Sequence, residues 1–436
     1  ETKALAHAEV LGVNVGTFIA VGHNGTESNT TETTRVTMNN SGLQNDTTTK
    51  HIDESRTMLN SLTMQAVGLN DVYNYADGRG GGILGISPDA ADAKNTSKII
   101  TDATLIGKFD VNNKVNVTAA QTDLLTVYTN TEMFGIAVGV GGAEANNTRH
   151  KDSETAIKVN NSEINADSVS LIAYNDIRFN NYKKSGSKLV DEHNYAAYGN
   201  TGSIVAAETD LKVKSEITEK ALVDINSTNI QTKEDIDIGA GTKANLFVAA
   251  QGSAEAVLGS GLSVEADSTY NYSDTINVTG SSILKTTTAE GDITLDAVDD
   301  TVLQTGAYAD AAIGVATSPR VETKNTTTRS NIINIGSAKN SSDKSKLDSS
   351  NDVKLYAGRY DGVALAGLKA VIDSQTFSGA LLIPASNRKL NNSIVENNVV
   401  NLYKNTLVKS VADTDIYADE GVMDIKTHKF GASSGT

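Results

Sequence analysis

The side chains best suited to chemistry are carboxylates set close together: Asp235 with Asp237, Asp299 with Asp300, and Asp413 with Asp415. Such pairs can act as acid and base on a glycosidic bond, or hold Ca²⁺ through oxygen ligands. An i, i+2 pair on a strand does face one side of the sheet. Asp235 and Asp237, however, occupy the outward positions of an alternating strand, where a solvated face accounts for them without catalysis. No Gly-Gly-x-Gly-x-Asp series occurs, which excludes the calcium-binding nonapeptide solenoid. Weak, diffuse Ca²⁺ binding is the most this acidic surface supports, and no cofactor is expected.

The other candidates are weaker. The 6 histidines (His7, His23, His51, His150, His193, His428) show no metal-like pair spacing. Gly78–Gly82 completes neither a dinucleotide nor a phosphate-loop pattern, and suits a tight turn. Asn-x-Ser/Thr triplets, at Asn24, Asn29, Asn95, Asn277 and Asn325 among others, arise by composition in a chain so rich in Asn, Ser and Thr. The best contact candidate is a Tyr and Lys cluster: Phe179, Tyr182, Lys183, Lys184, Tyr195 and Tyr198. Tyr offers a flat apolar face with a polar tip, useful against sugars or proteins.

The elements that must position these residues are repeats. The pattern apolar-x-apolar-x-Ala recurs at Leu62–Ala66, Val115–Ala119, Val169–Ala173, Ile236–Ala240, Ile293–Ala297 and Val353–Ala357, with a degenerate copy at Thr414–Ala418. The copies start about 53 to 67 residues apart. Period-2 alternation marks a strand with one buried face. Upstream of the copies lies a second, β-branched strand ending in Asn or Gly and Ser, as in Ile157–Ile164, Val223–Ile230 and Ile276–Ile283. A third element of small residues appears at Leu11–Gly16, Gly135–Gly141, Ala311–Ala316 and Val363–Leu368. The fixed order gives about seven units.

Composition bounds what these units can build. The 436 residues include 36 Gly, 3 Pro, no Cys and no Trp, with 37 basic against 53 acidic side chains for a net charge of −16. That charge repels phosphate and excludes a nucleic-acid partner. No apolar run reaches the ~18 residues of a membrane-spanning helix. Absence of Cys removes disulfides, thiolate metal sites and Cys nucleophiles together. Helical periodicity is nearly absent, and Asn-Gly or Asp-Gly hairpin turns are too few for an antiparallel meander. The expected fold is all-β: a single-stranded parallel β-helix, or β-solenoid, forming one continuous repeat domain over 1–436. With two or three coils of ~20 to 25 residues per unit it would have roughly 20 coils and a rod of roughly 90 to 100 Å. Segment 177–200 is expected as an inserted loop, Ser337–Ser350 as a second and Ser374–Asn392 as a third.

This grammar resembles the β-helical shafts of large secreted bacterial exoproteins, the filamentous-haemagglutinin type and the leukotoxin-like filamentous adhesins. Gly291-Asp292-Ile293-Thr294-Leu295-Asp296-Ala297 matches their Gly/Asn-Asp-apolar-x-apolar-x-Ala strands, and Ala311–Ala316 leading to Asn325-Thr326-Thr327 follows their turn style. The resemblance implies export to the cell surface or beyond and a role in cell adhesion, biofilm or surface filaments. It supplies no catalytic residues. The expected function is a non-enzymatic structural and adhesive shaft, its partners being further repeats or identical chains stacked end to end, and surface glycans or proteins. The alternative is a β-helical carbohydrate-active enzyme, a polysaccharide lyase or hydrolase. An ice- or surface-binding solenoid ranks last, since the Thr positions are irregular.

Overall fold

The computed structural model describes residues 2–39, 56–180, 196–311, 314–358, 367–419 and 422–434. Among them the chain is all-β, with no helix, and 24 strands join in one sheet system. Its strands pair in parallel. Parallel pairing sets like positions of successive repeats side by side, and the recurring motif obeys this throughout. Leu62, Val115, Val169, Ile236, Ile293, Val353 and Thr414 form one column of registered neighbours. The column two residues on is Met64, Val117, Leu171, Ile238, Leu295, Leu355 and Ile416, followed by the column of Ala residues. From Leu62 to Val353 and from Met64 to Leu355 these side chains are buried.

The pairing step corrects the expected coil size. Leu62 pairs with Val115, Asn24 with Ala91, Gly259 with Ala316 and Val353 with Thr414. These partners are separated in sequence by the length of the repeat itself. Each unit therefore pairs as a whole with the next. The smaller step, about 20 to 25 residues per coil, is not found among the described residues.

A central unit shows the path. Ile236–Ala256 runs outward, the chain turns at Val257 and Leu258, and Gly259–Thr279 returns. The two walls face each other, since the Thr242 hydroxyl donates across the interior to Asp274 (2.7 Å). Gly280 and Ser281 turn the corner with positive φ (67° and 61°), which a glycine adopts without steric cost. The short strand Ile283–Thr286 then leads to the next outward wall at Ile293. At this corner a hydroxyl from each unit satisfies backbone of its neighbour. Ser162 Oγ accepts from Gly107 N–H, Thr228 Oγ1 from Ser162 N–H, and Ser282 Oγ from Thr228 N–H.

The interior has three zones. One apolar cluster lies by the corner, built from the motif columns and from Ile157, Val223, Ile276 and Ile333. A second lies toward the outer turn, with Leu125, Phe179, Leu246, Tyr270, Leu303 and Ile372. Between them sits a polar band. Ser28, Asn95, Asn147, Ser215, Ser268, Asn325 and Asn392 stack there as one registered ladder. Its rungs bond one another: Asn95 to Asn147 (2.7 Å), Ser268 to Asn325 (2.8 Å) and Asn325 to Asn392 (2.8 Å).

The outer turns carry the small-residue element. Gly135–Gly141 lies at this position, as does the end of Ala311–Ala316, and Leu11–Gly16 leads into it. The described end of Val363–Leu368 does not belong to the series: Gly367 and Leu368 pair with Asp300 and Thr301 on the outward wall. The tip of that unit is instead 380–383. Successive tips are hydrogen-bonded, Leu84 N–H to Phe18 O, Ile204 to Ile136, Val257 to Ile204, Val315 to Val257 and Leu382 to Val315.

Register also locates the extra residues. Leu125 pairs with Phe179 and Thr129 with Ala197. A short advance along one wall thus matches a much longer one on its neighbour. The two ends of the expected insertion 177–200 belong to the strands Ser168–Phe179 and Ala197–Ser203, and its middle, 181–195, lies outside the described residues. Asn180 patches the wall there, accepting from Val127 N–H (2.9 Å) and donating to Val127 O (3.3 Å). The expected loop at Ser337–Ser350 is a turn around 336–345 followed by the short strand Lys346–Asp348. Ser374–Asn392 is not a loop. It is the end of strand Gly367–Gly379, a tip, and the start of Asn387–Leu402; its polar letters are the inward hydroxyls of Ser374, Thr376 and Ser378, the outward amides of Gln375, Asn387 and Asn391, and the ladder residue Asn392.

Leu171 stands buried between Val117 and Ile238, so Leu171→Ala should lower stability by about 2–5 kcal/mol in urea unfolding. The neighbouring outward Ile172, 36% exposed, should cost less than about 1 kcal/mol when replaced by Ala.

Candidate functional site

Alternation decides which charged residues face solvent and which face the interior. Asp299 and Asp300 are adjacent, so they point to opposite faces: Asp299 is buried and Asp300 exposed. They are not a working pair. Asp237 is exposed, and Asp235 accepts a hydrogen bond from Asp292 N–H (2.9 Å). Although its side chain reaches solvent, partial desolvation by the atoms crowded around it, then the nearby Asp235 and Asp292 charges, raise the Asp237 carboxyl above its ordinary range. Asp413 is exposed at a turn, where its N–H donates to Asp352.

Asp237 borders a groove of about 670 Å³ on the outer face of the outward walls. The cause is a local loss of side chains. Gly239 and Gly241 register with Ile172 and Tyr174 on one side, and with Asp296 and Val298 on the other. The two glycines leave a hollow bounded by an aromatic ring, two aliphatic chains and the carboxylates Asp237, Asp296 and Asp300. Lys243 stands in register between Asp176 and Asp300. Burial and the Asp176 and Asp300 charges push the Tyr174 hydroxyl upward, so it remains a neutral donor. A flat ring beside hydrogen-bond acceptors suits a sugar face. No group of three or more His, Asp or Glu able to hold a metal occurs among the described residues.

The strongest electrostatics lie inside. Arg149 is fully buried and pairs with Asp123 and Glu219, both also buried. Arg329 is equally buried, between Asp299 and Glu396 (3.1 Å), while Asn331 Nδ2 donates to Asp299 (2.8 Å). Each guanidinium meets more carboxylate than it can neutralise. Burial, only partly offset by Arg149, raises Glu219 to about 7. Asp123 shifts the same way, and burial with the Asp299 charge pushes Asp274 well above its usual range. These groups belong to the interior and lie beyond the reach of a ligand, because they are buried from solvent.

Of the sequence-proposed contact cluster, only Phe179 and Tyr198 lie among the described residues. Phe179 is completely buried in the outer apolar zone and offers no surface. Its parity with Leu125 and Leu246, its registered neighbours, sends it inward. Tyr198 lies half-buried on strand Ala197–Ser203, between Asn130 and Gln251. Tyr182, Lys183, Lys184 and Tyr195 lie outside the described residues. His7 stacks on Tyr73 (4.7 Å) and His150 accepts from Asp152 N–H in a turn. Gly78 sits in a strand where a Cβ would meet the Ala90 carbonyl of the facing wall at 2.2 Å, so glycine there allows the walls to close. Asn95 and Asn325 are rungs of the interior ladder, and sugar cannot be attached to them in the folded chain, whereas Asn29 is exposed. The chain matches no family model, no curated protein and no solved structure.

Two predictions test the interior. A carboxyl whose folded pKa is raised favours the fold fully below its unfolded value, near 4.5 for Glu219. That contribution is lost as pH rises through about 7. Stability to urea should therefore increase from pH 8 to pH 5. Glu219→Gln, which mimics the neutral acid, should flatten that slope and stabilise the chain at pH 8 by about 1–3 kcal/mol. Arg149→Met should cost about 3–5 kcal/mol, because it strands two buried acids.

Proposed function

We propose that this chain is a parallel β-solenoid of about seven laps, one lap per repeat. Its function is that of a non-catalytic structural and adhesive shaft segment of a secreted bacterial surface protein or extracellular filament. The observation that carries this reading is the registered stacking of like positions through every unit, as in the column from Leu62 to Thr414, which leaves edge strands at both end units. Leu402, Ile416, Met423 and Ile425 register with buried Ile335, Leu355, Leu368 and Ala370, yet are 37–45% exposed. At the other end Ala6 and Val10, registered with buried Val72 and Ala76, are only half-buried. The strands there pair on one side alone among the described residues. An end with inward apolar positions open and a free parallel edge accepts another lap, from more chain or from an identical copy. The interior columns favour this too, since ladders such as Ser28–Asn392 can extend without limit. At about 4.8 Å per lap this segment adds roughly 30 Å of shaft.

A second reading is a β-helical carbohydrate-active enzyme. It is favoured by the groove in which Asp237, Asp296, Asp300 and Lys243 converge from neighbouring laps around Tyr174. The reading requires turnover. Incubation with neutral and acidic polysaccharides should release no new reducing ends under the shaft reading, and release abolished by Asp237→Asn would establish the enzyme.

The shaft reading is tested by electron microscopy and X-ray scattering of concentrated protein. Rods or end-to-end filaments with a meridional spacing of about 4.8 Å are expected. Introducing charge at the open end, with Ile425→Lys, should shorten them. Isolated compact particles at all concentrations, unaffected by this change, would contradict it.

A further inference from the structure

The outer turns form an apolar ridge that neither the shaft nor the groove uses. The eleven large apolar side chains at the tips, from Phe18 and Ile136 through Ile204, Val257 and Leu258 to Leu382, are 39–71% exposed. Hydrogen bonds between successive tips, Ile204 to Ile136, Val257 to Ile204 and Val315 to Val257, make them one line crossing the units. Together they expose on the order of 1,000 Å² of apolar surface. The largest patch on an ordinary monomer is about 300–600 Å². The tips are also free of charge. Residues 133–143, 199–207, 256–264 and 376–387 contain no Asp, Glu, Lys or Arg, while Glu132, Glu144, Glu208, Glu255 and Glu265 flank them. An apolar centre with a charged rim is the anatomy of a protein interface.

We propose that this ridge is a lateral self-association seam, on which two copies of the chain pack side by side. Charge argues for a second copy. Two molecules of net charge −16 repel, and the ridge is the line along which they can meet through uncharged residues, with the flanking glutamates left at the solvated rim where water and salt screen them. Geometry argues the same way. The tips of both partners repeat at the same inter-strand spacing of about 4.8 Å, and the half-buried Leu84 and Val315 tips form recesses in the line beside which the protruding tips of the other copy can seat. A lipid surface fits less well: no Lys or Arg borders the central tips and the chain has no Trp, the residues that hold proteins at a bilayer interface. Ridge-on-ridge contact buries about half of each exposed strip, roughly 1,000 Å² in total. That lies at the lower limit for a specific interface and gives a reversible dimer.

The test uses the whole chain, whose lack of Cys makes crosslinking clean. Sedimentation should show a concentration-dependent dimer, weakened about tenfold or more in Ile204→Glu/Leu258→Glu and unchanged by Ile425→Lys at the open end. This separates lateral pairing from end-to-end stacking, which has the opposite dependence. In the otherwise native chain, Val257→Cys should give a disulfide-linked dimer on mild oxidation and Thr294→Cys, on the wall, should not. A chain that stays monomeric, equal crosslinking from both positions, or flotation with phosphatidylcholine vesicles that the double variant abolishes would each overturn the proposal.

Discussion

Parallel backbone pairing between residues one whole repeat apart is the constraint on which the rest of the structure depends. A parallel ladder sets residue on residue, so every inward position becomes a column and its chemistry must tolerate its own likeness above and below. Apolar positions do so freely, hence the columns beginning at Leu62 and Met64. Amide and hydroxyl positions do so because they both donate and accept, hence the ladder from Ser28 to Asn392. Charges cannot stack like on like. Glu219, Tyr272, Arg329 and Glu396 form one column in which acid and base alternate around a Tyr, and Asp299 from the facing wall adds a second carboxylate to Arg329.

The repeat motif was fully legible, because apolar-x-apolar-x-Ala states both the strand and its buried face. The size of the pairing step was not. The walls are long strands, such as Ile236–Ala256 and Gly259–Thr279, but their inward faces pass through the polar band. There Thr242, Ser268 and Asp274 occupy core positions, and hydropathy alternation vanishes. One long wall therefore reads as two short strands. That splits each unit into several small coils where the backbone pairs it as one piece.

The buried ion pairs were hidden for a related reason. Asp123 and Glu219 lie far from Arg149 along the chain, outside any local motif. The one available signal was parity. Arg149 shares its face with Ala143, Ala145 and Asn147, and Glu219 shares its face with Ile217 and Ala221. Parity also separates Asp299 from Asp300 and sends Phe179 inward, dismantling one proposed acid pair and one proposed contact residue. The groove depended on Gly239 and Gly241 falling between larger neighbours from other units, a coincidence visible only once the register is known.

Disulfide trapping in this Cys-free chain tests the pairing step most directly. Asp237 and Thr294 are outward, one whole repeat apart in sequence and registered on adjacent parallel strands, at a separation a disulfide can span. Asp237→Cys with Thr294→Cys should crosslink rapidly and completely in the native state. Asp237→Cys with Gly259→Cys, whose spacing is that of the smaller coil, should not. Efficient linkage of the second pair in place of the first would contradict pairing by whole repeats.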